Sequence, residues 1–93
     1  MEDDLKLVIL KQDLEILHSQ KDDYLKTLIQ TATELIEMEG IQLTDNYLDT
    51  SLISMYAAYL YRKRAKDENP MPRMLRYALN NRLFSQKVGE VDI

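Results

Sequence analysis

Apolar residues recur along the chain at the spacing of α-helices, and the longest such stretch lies between residues 46 and 66. Apolar positions there follow one another at steps of three and four, with a second flank beside the first. The middle turns are therefore apolar nearly all round, and such a helix has to pack on more than one side. We expect its buried face to contain Leu48, Leu52, Met55, Tyr56, Tyr59 and Leu60, with Ile53, Ala57 and Tyr61 on the second flank.

Both ends of this stretch carry residues that helix termini favour. Asn46 can cap the first turn, and Asp49, three residues later, can hydrogen-bond back to it. The other end is cationic, as the helix dipole prefers. Its four bases are Arg62, Lys63, Arg64 and Lys66. The pattern predicts one helix over residues 46–66.

A second helix is predicted over residues 22–39, where the apolar stripe is unbroken. Asp22 and Asp23 lead it, and Gly40 follows its last turn as a left-handed terminal residue. Ser19 and Asp22 have the spacing of a capping box at its start. Both ends of this helix are therefore specified.

Two further helices complete the predicted fold. Residues 4–17 carry leucines at helical steps, although the alternation of Leu5, Leu7 and Ile9 also fits a short strand, and a later start near Lys11 stays open. Residues 72–85 form the last helix, with proline in its first turn. Its inward residues are Leu75, Ala78, Leu79 and Leu83, and its outward residues are Arg73, Arg76, Asn80 and Arg82.

Residues 86–93 have no evident helical pattern. Gly89 interrupts the segment, and Val88, Val91 and Ile93 alternate with polar residues at about the spacing of a strand. This pattern predicts a flexible tail. The addition of a strand to a partner's sheet is the alternative that stays open. Residues 1–93 are thus predicted to form a single all-α domain, a small four-helix bundle built around the long third helix.

The amino-acid composition excludes several classes of protein. The 93 residues suffice for one core, and only two glycines and two prolines interrupt the helices. The chain has no cysteine, so it has no disulfide and no thiolate zinc site. No apolar run approaches the roughly 20 residues of a membrane span, and the chain opens with acids rather than with a signal peptide. We expect a soluble cytoplasmic product with no membrane partner.

The net charge of −4 conceals two unlike halves. Residues 1–46 hold eleven acids and four lysines (−7), whereas residues 47–93 hold five acids and eight bases (+3). Opposite charge on the two halves suits head-to-tail self-association, because the basic surface of one subunit can face the acidic surface of the next. Two solvated faces without any partner are an equally open interpretation.

The sequence offers little chemistry for catalysis. His18 is the only histidine and has no evident catalytic or metal-binding partner. The acids lack the spacing of a calcium loop, and two isolated glycines cannot form a phosphate-binding loop. We therefore predict no enzyme activity, no cofactor and no metal. Sequence-specific DNA binding by the last helix is also disfavoured, since the domain is acidic overall.

The order and spacing of the packing residues support one family resemblance. The second helix opens with Asp22-Asp23-Tyr24-Leu25 and continues through Leu28-Ile29, Ala32 and Glu34-Leu35-Ile36; the third contains Ala57-Ala58-Tyr59-Leu60-Tyr61 and Arg64; the last runs from Pro72 to Phe84. Over residues 11–84 the chain resembles the small head–tail connector (adaptor) proteins of tailed bacteriophages and prophages, which are also described as DNA-packaging proteins. It departs from them at residues 69–72 and 81–84, where a Leu-Pro step and a Pro-Tyr-Arg-like turn are usual.

The resemblance implies a structural virion protein at the head–tail junction, assembled in the host cytoplasm. Its partners would be copies of itself in a ring, typically of twelve subunits in the virion, the portal protein, and a tail or stopper protein; whether the isolated chain is a ring or a monomer stays open. DNA would pass through the ring without sequence-specific binding. The candidate subunit or portal interface comprises Arg62, Lys63, Arg64, Lys66, Asp22, Asp23, Glu34 and Glu37, and the candidate docking tail comprises Val88, Val91 and Ile93. The alternative is a small helical protein–protein interaction module or a DNA-binding regulator.

Overall fold

A computed structural model describes residues 2–65 and 70–91, and it confirms the all-α fold. Its four helices are α1 (Glu2–Leu14), α2 (Asp22–Met38), α3 (Tyr47–Ala65) and α4 (Arg73–Val91). No strand occurs within these described ranges. Two of the sequence-predicted site residues, Lys66 and Ile93, lie outside them.

The third helix is central to the packing, as its apolar pattern predicts. α1 and α2 both pack along α3 and also against each other, while α4 packs less extensively on α3. The core joins Leu10 of α1 to the stripe of α2 and to the middle of α3. Its buried apolar residues on α2, α3 and α4 are Leu25, Leu28, Ile29, Ala32 and Ile36; Leu52, Ile53, Tyr56, Ala57 and Ala58; Leu75 and Leu79.

The face of α3 that is buried differs in part from the prediction. Leu48 is 74% exposed and Met55 is also exposed, whereas the polar residues Asp49, Thr50 and Ser54 are buried. Ser54 donates its hydroxyl proton to the Lys6 carbonyl of α1 at 3.1 Å, which places this small polar side chain at the α1–α3 contact. The buried face is therefore rotated towards α1 and α2, and one apolar edge of α3 is left in contact with water.

At one end of α2 the prediction is correct, and at the other end it is wrong. Gly40 has φ +99°, and its N–H donates to the Glu37 carbonyl, as expected of a left-handed residue after a helix. The capping box at the other end is not formed, because Ser19 contributes only its backbone carbonyl to the Asp22 N–H. The Asp22 side chain instead accepts a hydrogen bond from Lys11 Nζ at 2.8 Å and ties α2 to α1.

The first helix ends at Leu14, three residues before the predicted end. Glu15 adopts φ +59°, its N–H donates to the Gln12 carbonyl, and the Ile16 N–H donates to the Lys11 carbonyl at 2.9 Å. These are the two hydrogen bonds of a Schellman motif, which satisfies the last carbonyls of a helix. The chain turns away at this point, so that Leu17 is 97% exposed.

The predicted extended tail is wrong for residues 86–91, which continue α4. The Gln86 side chain accepts a hydrogen bond from the Gln42 N–H and donates one to the Gly40 carbonyl, both in the connection between α2 and α3. These two hydrogen bonds favour a helix that continues beyond Ser85. Gly89 costs a helix only about 1 kcal/mol relative to alanine and does not break it. Val88 therefore lies on a helix, and Val91 is its last residue.

None of the helices in the described part of the chain is long and apolar enough to cross a bilayer.

Glu15 gives a test of the α1 terminus. A left-handed conformation costs a non-glycine residue about 1–2 kcal/mol, so we expect Glu15→Gly to raise the free energy of unfolding by about 1 kcal/mol in urea denaturation. The matched control is Gln12→Gly, at an exposed position within the helix, which we expect to lower it by about the same amount. Equal destabilisation by both variants would contradict the assigned turn.

Candidate functional site

A groove lies between α3 and α4 on the edge of α3 that the core leaves uncovered. It has a volume of about 360 Å³ and a predominantly apolar lining. The lining residues are Leu48, Asp49, Ser51, Leu52 and Met55 from α3 and Ala78, Asn81, Arg82 and Ser85 from α4.

Two residues of this lining form an ion pair between the two helices. Asp49 Oδ1 accepts from Arg82 Nε at 2.7 Å, and Asp49 Oδ2 accepts from Arg82 Nη2 at 3.1 Å. Asp49 Oδ2 also accepts from the backbone N–H and the hydroxyl of Thr44, at 2.8 and 2.9 Å. Asp49 is completely buried. Two-point binding of this kind fixes the orientation of both side chains.

Both members of the pair stay charged. Burial raises the pKa of Asp49, but the hydrogen bonds from Arg82 and Thr44 and the charge of Arg82 outweigh it, so the pKa lies below its usual value. The hydrogen bond with Asp49 raises the pKa of Arg82 against the opposing effect of burial. The carboxylate and the guanidinium therefore satisfy each other within the described structure, where no buried side-chain nitrogen or oxygen lacks a hydrogen-bond partner.

Polar contacts also bind α4 to the loop between α2 and α3. Arg82 Nη2 donates to the Gln42 carbonyl at 2.7 Å, Gln86 Nε2 donates to the Gly40 carbonyl at 2.8 Å, and the Gln42 N–H donates to Gln86 Oε1 at 2.7 Å. Near the start of α4, Arg76 makes two hydrogen bonds to the Glu39 carboxylate, at 2.9 and 3.0 Å. The position of α4 thus depends on arginine and glutamine as well as on leucine.

The sequence prediction missed this arrangement. It placed Arg82 in solvent and paired Asp49 with Asn46; in the structure Asn46 does cap α3, accepting from the Asp49 N–H at 2.7 Å, but the Asp49 carboxylate turns to Thr44 and Arg82. A usable signal was present. Arg82 follows Leu75 and Leu79 at helical steps and so continues their inward face.

The predicted basic cluster is engaged within the same chain. Arg62 Nη2 lies 3.1 Å from Asp13 Oδ2 and also contacts the Asp13 carbonyl, with both side chains about half exposed. Lys63 lies over the Tyr59 ring, and the Arg64 guanidinium lies 5.0 Å from the Tyr24 ring. Part of the charge asymmetry between the two halves of the chain is therefore neutralised internally.

The predicted acidic residues belong to a different surface. Asp22 pairs with Lys11, whereas Asp23, Glu34 and Glu37 are exposed along α2, and Glu34 accepts from Gln30 at 2.8 Å. None of these four acids forms an ion pair with Arg62, Lys63 or Arg64 in the parts of the chain that the structure describes. The two sets of candidate residues are not one site.

Within residues 2–65 and 70–91, no group of three or more His, Asp or Glu side chains is arranged so that it could bind a metal ion. His18 Nδ1 accepts from the Gln20 N–H at 3.3 Å, which stabilises the loop before α2.

Other large apolar side chains are exposed along α4, outside the lining of the groove. Met74, Tyr77, Phe84 and Val88 are all exposed, and Val88 joins them through the helical extension rather than through a tail. Beside the groove, a second hollow is lined in part by Met55, Met74 and Leu75. Such a surface can bind an apolar partner and has no chemistry of its own.

Comparison with protein-family models, with curated protein sequences and with solved structures finds no match for this chain.

The buried pair gives a stability prediction. Asp49→Ala leaves a charged Arg82 without its partner, and we expect it to lower the free energy of unfolding in urea by about 3–5 kcal/mol. The matched control is Asp45→Ala in the adjoining loop, an exposed acid, for which we expect a change within about 0.5 kcal/mol. Equal effects in the two variants would contradict the structural role of the pair.

The same group predicts a pH dependence. Because the pKa of Asp49 is depressed in the folded state, its contribution is complete above the unfolded value of about 3.9 and is lost as the pH falls through the folded pKa. Asp49→Asn removes this contribution. The difference in unfolding free energy between wild type and variant should therefore shrink between neutral pH and about pH 3; a constant difference would contradict the assignment.

Proposed function

We propose that the protein is a non-enzymatic assembly subunit of the head–tail connector type. Copies of the chain form a ring between the portal protein and the tail or stopper protein of a tailed bacteriophage, and DNA passes through the centre. The resemblance over residues 11–84 supports this class. The observation that carries the proposal is that Met74, Tyr77, Phe84 and Val88 are all exposed along one helix, beside an apolar groove, which is typical of a surface that contacts a partner.

The charge of α2 supports a passage for DNA. Asp23, Glu34 and Glu37 are exposed at steps of eleven and three, which places them on one side of α2. In a ring, an acidic face turned towards the centre would repel the phosphate backbone and let DNA slide. Lys26 lies at the edge of this face and reduces its charge in part.

The basic residues in the second half of the chain are only partly available for contact with a partner. Arg62 pairs with Asp13 and Arg76 with Glu39, so two of them neutralise acids of the first half within one chain. Lys63 and Arg64 lie beside Arg62 at the end of α3. These three residues stay candidates for the subunit or portal contact.

The direct test is the assembly state. Native mass spectrometry and negative-stain electron microscopy over a series of protein concentrations should reveal closed rings of one defined size. A strict dimer that binds DNA in a salt-sensitive way would instead support the regulator, and a monomer that binds one host protein would support the interaction module. Either result would overturn the connector proposal.

Charge reversal tests the basic cluster. Arg62→Glu/Arg64→Glu removes one exposed ion pair and exposed cation–π contacts, so we expect a loss of only about 1–2 kcal/mol of unfolding free energy. The protein concentration needed to form rings should rise about tenfold or more, because like charges would then face each other across the contact. The matched control, Lys26→Glu on exposed α2, should leave assembly unchanged. Undiminished rings in the double variant would remove these arginines from the interface.

A further inference from the structure

We infer that Arg64 and Lys21, together with the rings of Tyr24 and Tyr61, form a binding site for a phosphate group. The site lies where the start of α2 meets the end of α3. It is contained in one chain, so the inference goes beyond the proposed connector function and does not depend on ring formation. The expected ligand is inorganic phosphate or a small phosphate ester.

The guanidinium of Arg64 is held by two aromatic rings. Its Cζ lies 5.0 Å from the centroid of the Tyr24 ring and 5.6 Å from the centroid of the Tyr61 ring, and the two centroids are 6.3 Å apart. Cation–π attraction holds the charge but supplies no acceptor for the N–H groups of the guanidinium. Within residues 2–65 and 70–91, no carboxylate or carbonyl accepts a hydrogen bond from Arg64. Its donors can therefore bind an oxyanion at two points.

Lys21 places a second positive charge beside the same Tyr61 ring. Its Nζ donates to the Tyr61 hydroxyl at 2.8 Å and lies 5.3 Å from the ring centroid. This hydrogen bond occupies one of the N–H groups of the ammonium, and the side chain is partly buried, so the position of the charge is restricted. Two like charges that share one ring repel each other, and an anion bound to both would remove this repulsion.

The lack of a carboxylate distinguishes this cluster from the other polar contacts of the fold. Four cations of the described structure pair with a carboxylate oxygen at 3.1 Å or less: Lys11 with Asp22, Arg62 with Asp13, Arg76 with Glu39 and Arg82 with Asp49. Lys21 and Arg64 contact the facing helix through tyrosine instead, and no acid in that part of the chain pairs with either of them. Their charge is thus left for a ligand.

The acids at the start of α2 do not neutralise the cluster. Asp22 is already engaged in its ion pair. Asp23 is exposed, and because successive residues of a helix point about 100° apart, it lies on a different side of α2 from the contact between Tyr24 and Arg64. Lys63, the neighbour of Arg64 in α3, adds to the positive potential. The field at this point is therefore positive, although the chain as a whole is acidic.

The charge and the donors of the site match a phosphate group better than a carboxylate. A phosphate monoester carries about −1.5 to −2 charges at neutral pH and three acceptor oxygens, so it can bind to both cations and neutralise both. A single carboxylate offsets only one. A long polyanion is less suitable, because the net charge of −4 and the exposed acids of α2 repel it. These features favour a small phosphate ligand over nucleic acid.

The test is an NMR titration of the isotope-labelled full chain with inorganic phosphate, against sodium chloride at the same ionic strength. We expect saturable shifts of the amide signals of residues 21–24 and 61–64 with phosphate and none with chloride. Arg64→Gln should raise the dissociation constant about tenfold or more, because charge-assisted hydrogen bonds are lost. Arg64→Lys keeps the charge but loses the two-point geometry, so we expect a rise of about threefold or more.

Two further variants separate the cluster from general surface charge. Tyr61→Phe keeps the ring and removes the hydroxyl that positions Lys21, and we expect it to raise the dissociation constant about threefold. The matched control is Arg73→Gln, which removes an exposed arginine at the start of α4 and should bind phosphate like the wild type. Circular dichroism on heating checks that each variant folds. Isothermal titration calorimetry measures the same constants if the chain assembles into particles too large for NMR.

A fluorescently labelled DNA duplex distinguishes the two sources of a phosphate group. We expect fluorescence anisotropy to detect no binding of the duplex at physiological ionic strength. Duplex binding that Arg64→Gln weakens and inorganic phosphate displaces would support the site and identify a nucleic-acid backbone as its ligand.

Three results would overturn the inference. The first is the absence of any shift beyond those that chloride produces. The second is an equal loss of affinity in Arg64→Gln and Arg73→Gln, which would indicate attraction by surface charge in general. The third is unchanged binding in both variants of Arg64. None of these results bears on ring formation, so the connector proposal is tested separately by the assembly state.

Discussion

The ion pair between Asp49 and Arg82 is the interaction on which the architecture depends most. It joins the first turn of α3 to the middle of α4, and through Thr44 and the Gln42 carbonyl it also fixes the loop that follows α2. The loop and the adjoining first turn of α3 are thus both held to α4, whose Arg82 lies 33 residues after Asp49. A buried charge pair is a costly way to stabilise a protein, but it accepts only one geometry. That geometry positions α4 so that a groove remains beside it.

The fold was predictable where apolar residues alone decide the packing. α2 has its apolar residues on one side only, and the predicted stripe is the buried stripe. The start of α3 was also predicted to within one residue, because Asn46 caps it as expected. The tail was misread because three apolar residues fit a strand and a helix equally well. Val88 and Val91 lie three residues apart, and only the bonds from Gln86 to the distant loop favour the helix.

The candidate site was less predictable because polar residues form it. Charged side chains such as Arg82 are usually exposed, and nothing in the local sequence of α4 pairs it with a residue 33 positions earlier. The apolar edge of α3 was misplaced for the same reason: Asp49 and Ser54 occupy buried positions, so Leu48 and Met55 are turned outward. The groove is a consequence of this exchange of polar and apolar positions.

The way in which α4 is attached also affects which part of the molecule unfolds locally. α1, α2 and α3 share one apolar core, while α4 adds Leu75 and Leu79 to it and otherwise depends on hydrogen bonds at its arginines and Gln86. Regions with fewer buried apolar contacts exchange their amide hydrogens through local unfolding. Because α4 shares less of the packing on α3 than α1 and α2 do, we expect the amide hydrogens of α4 to exchange with solvent sooner than those of α2 and α3.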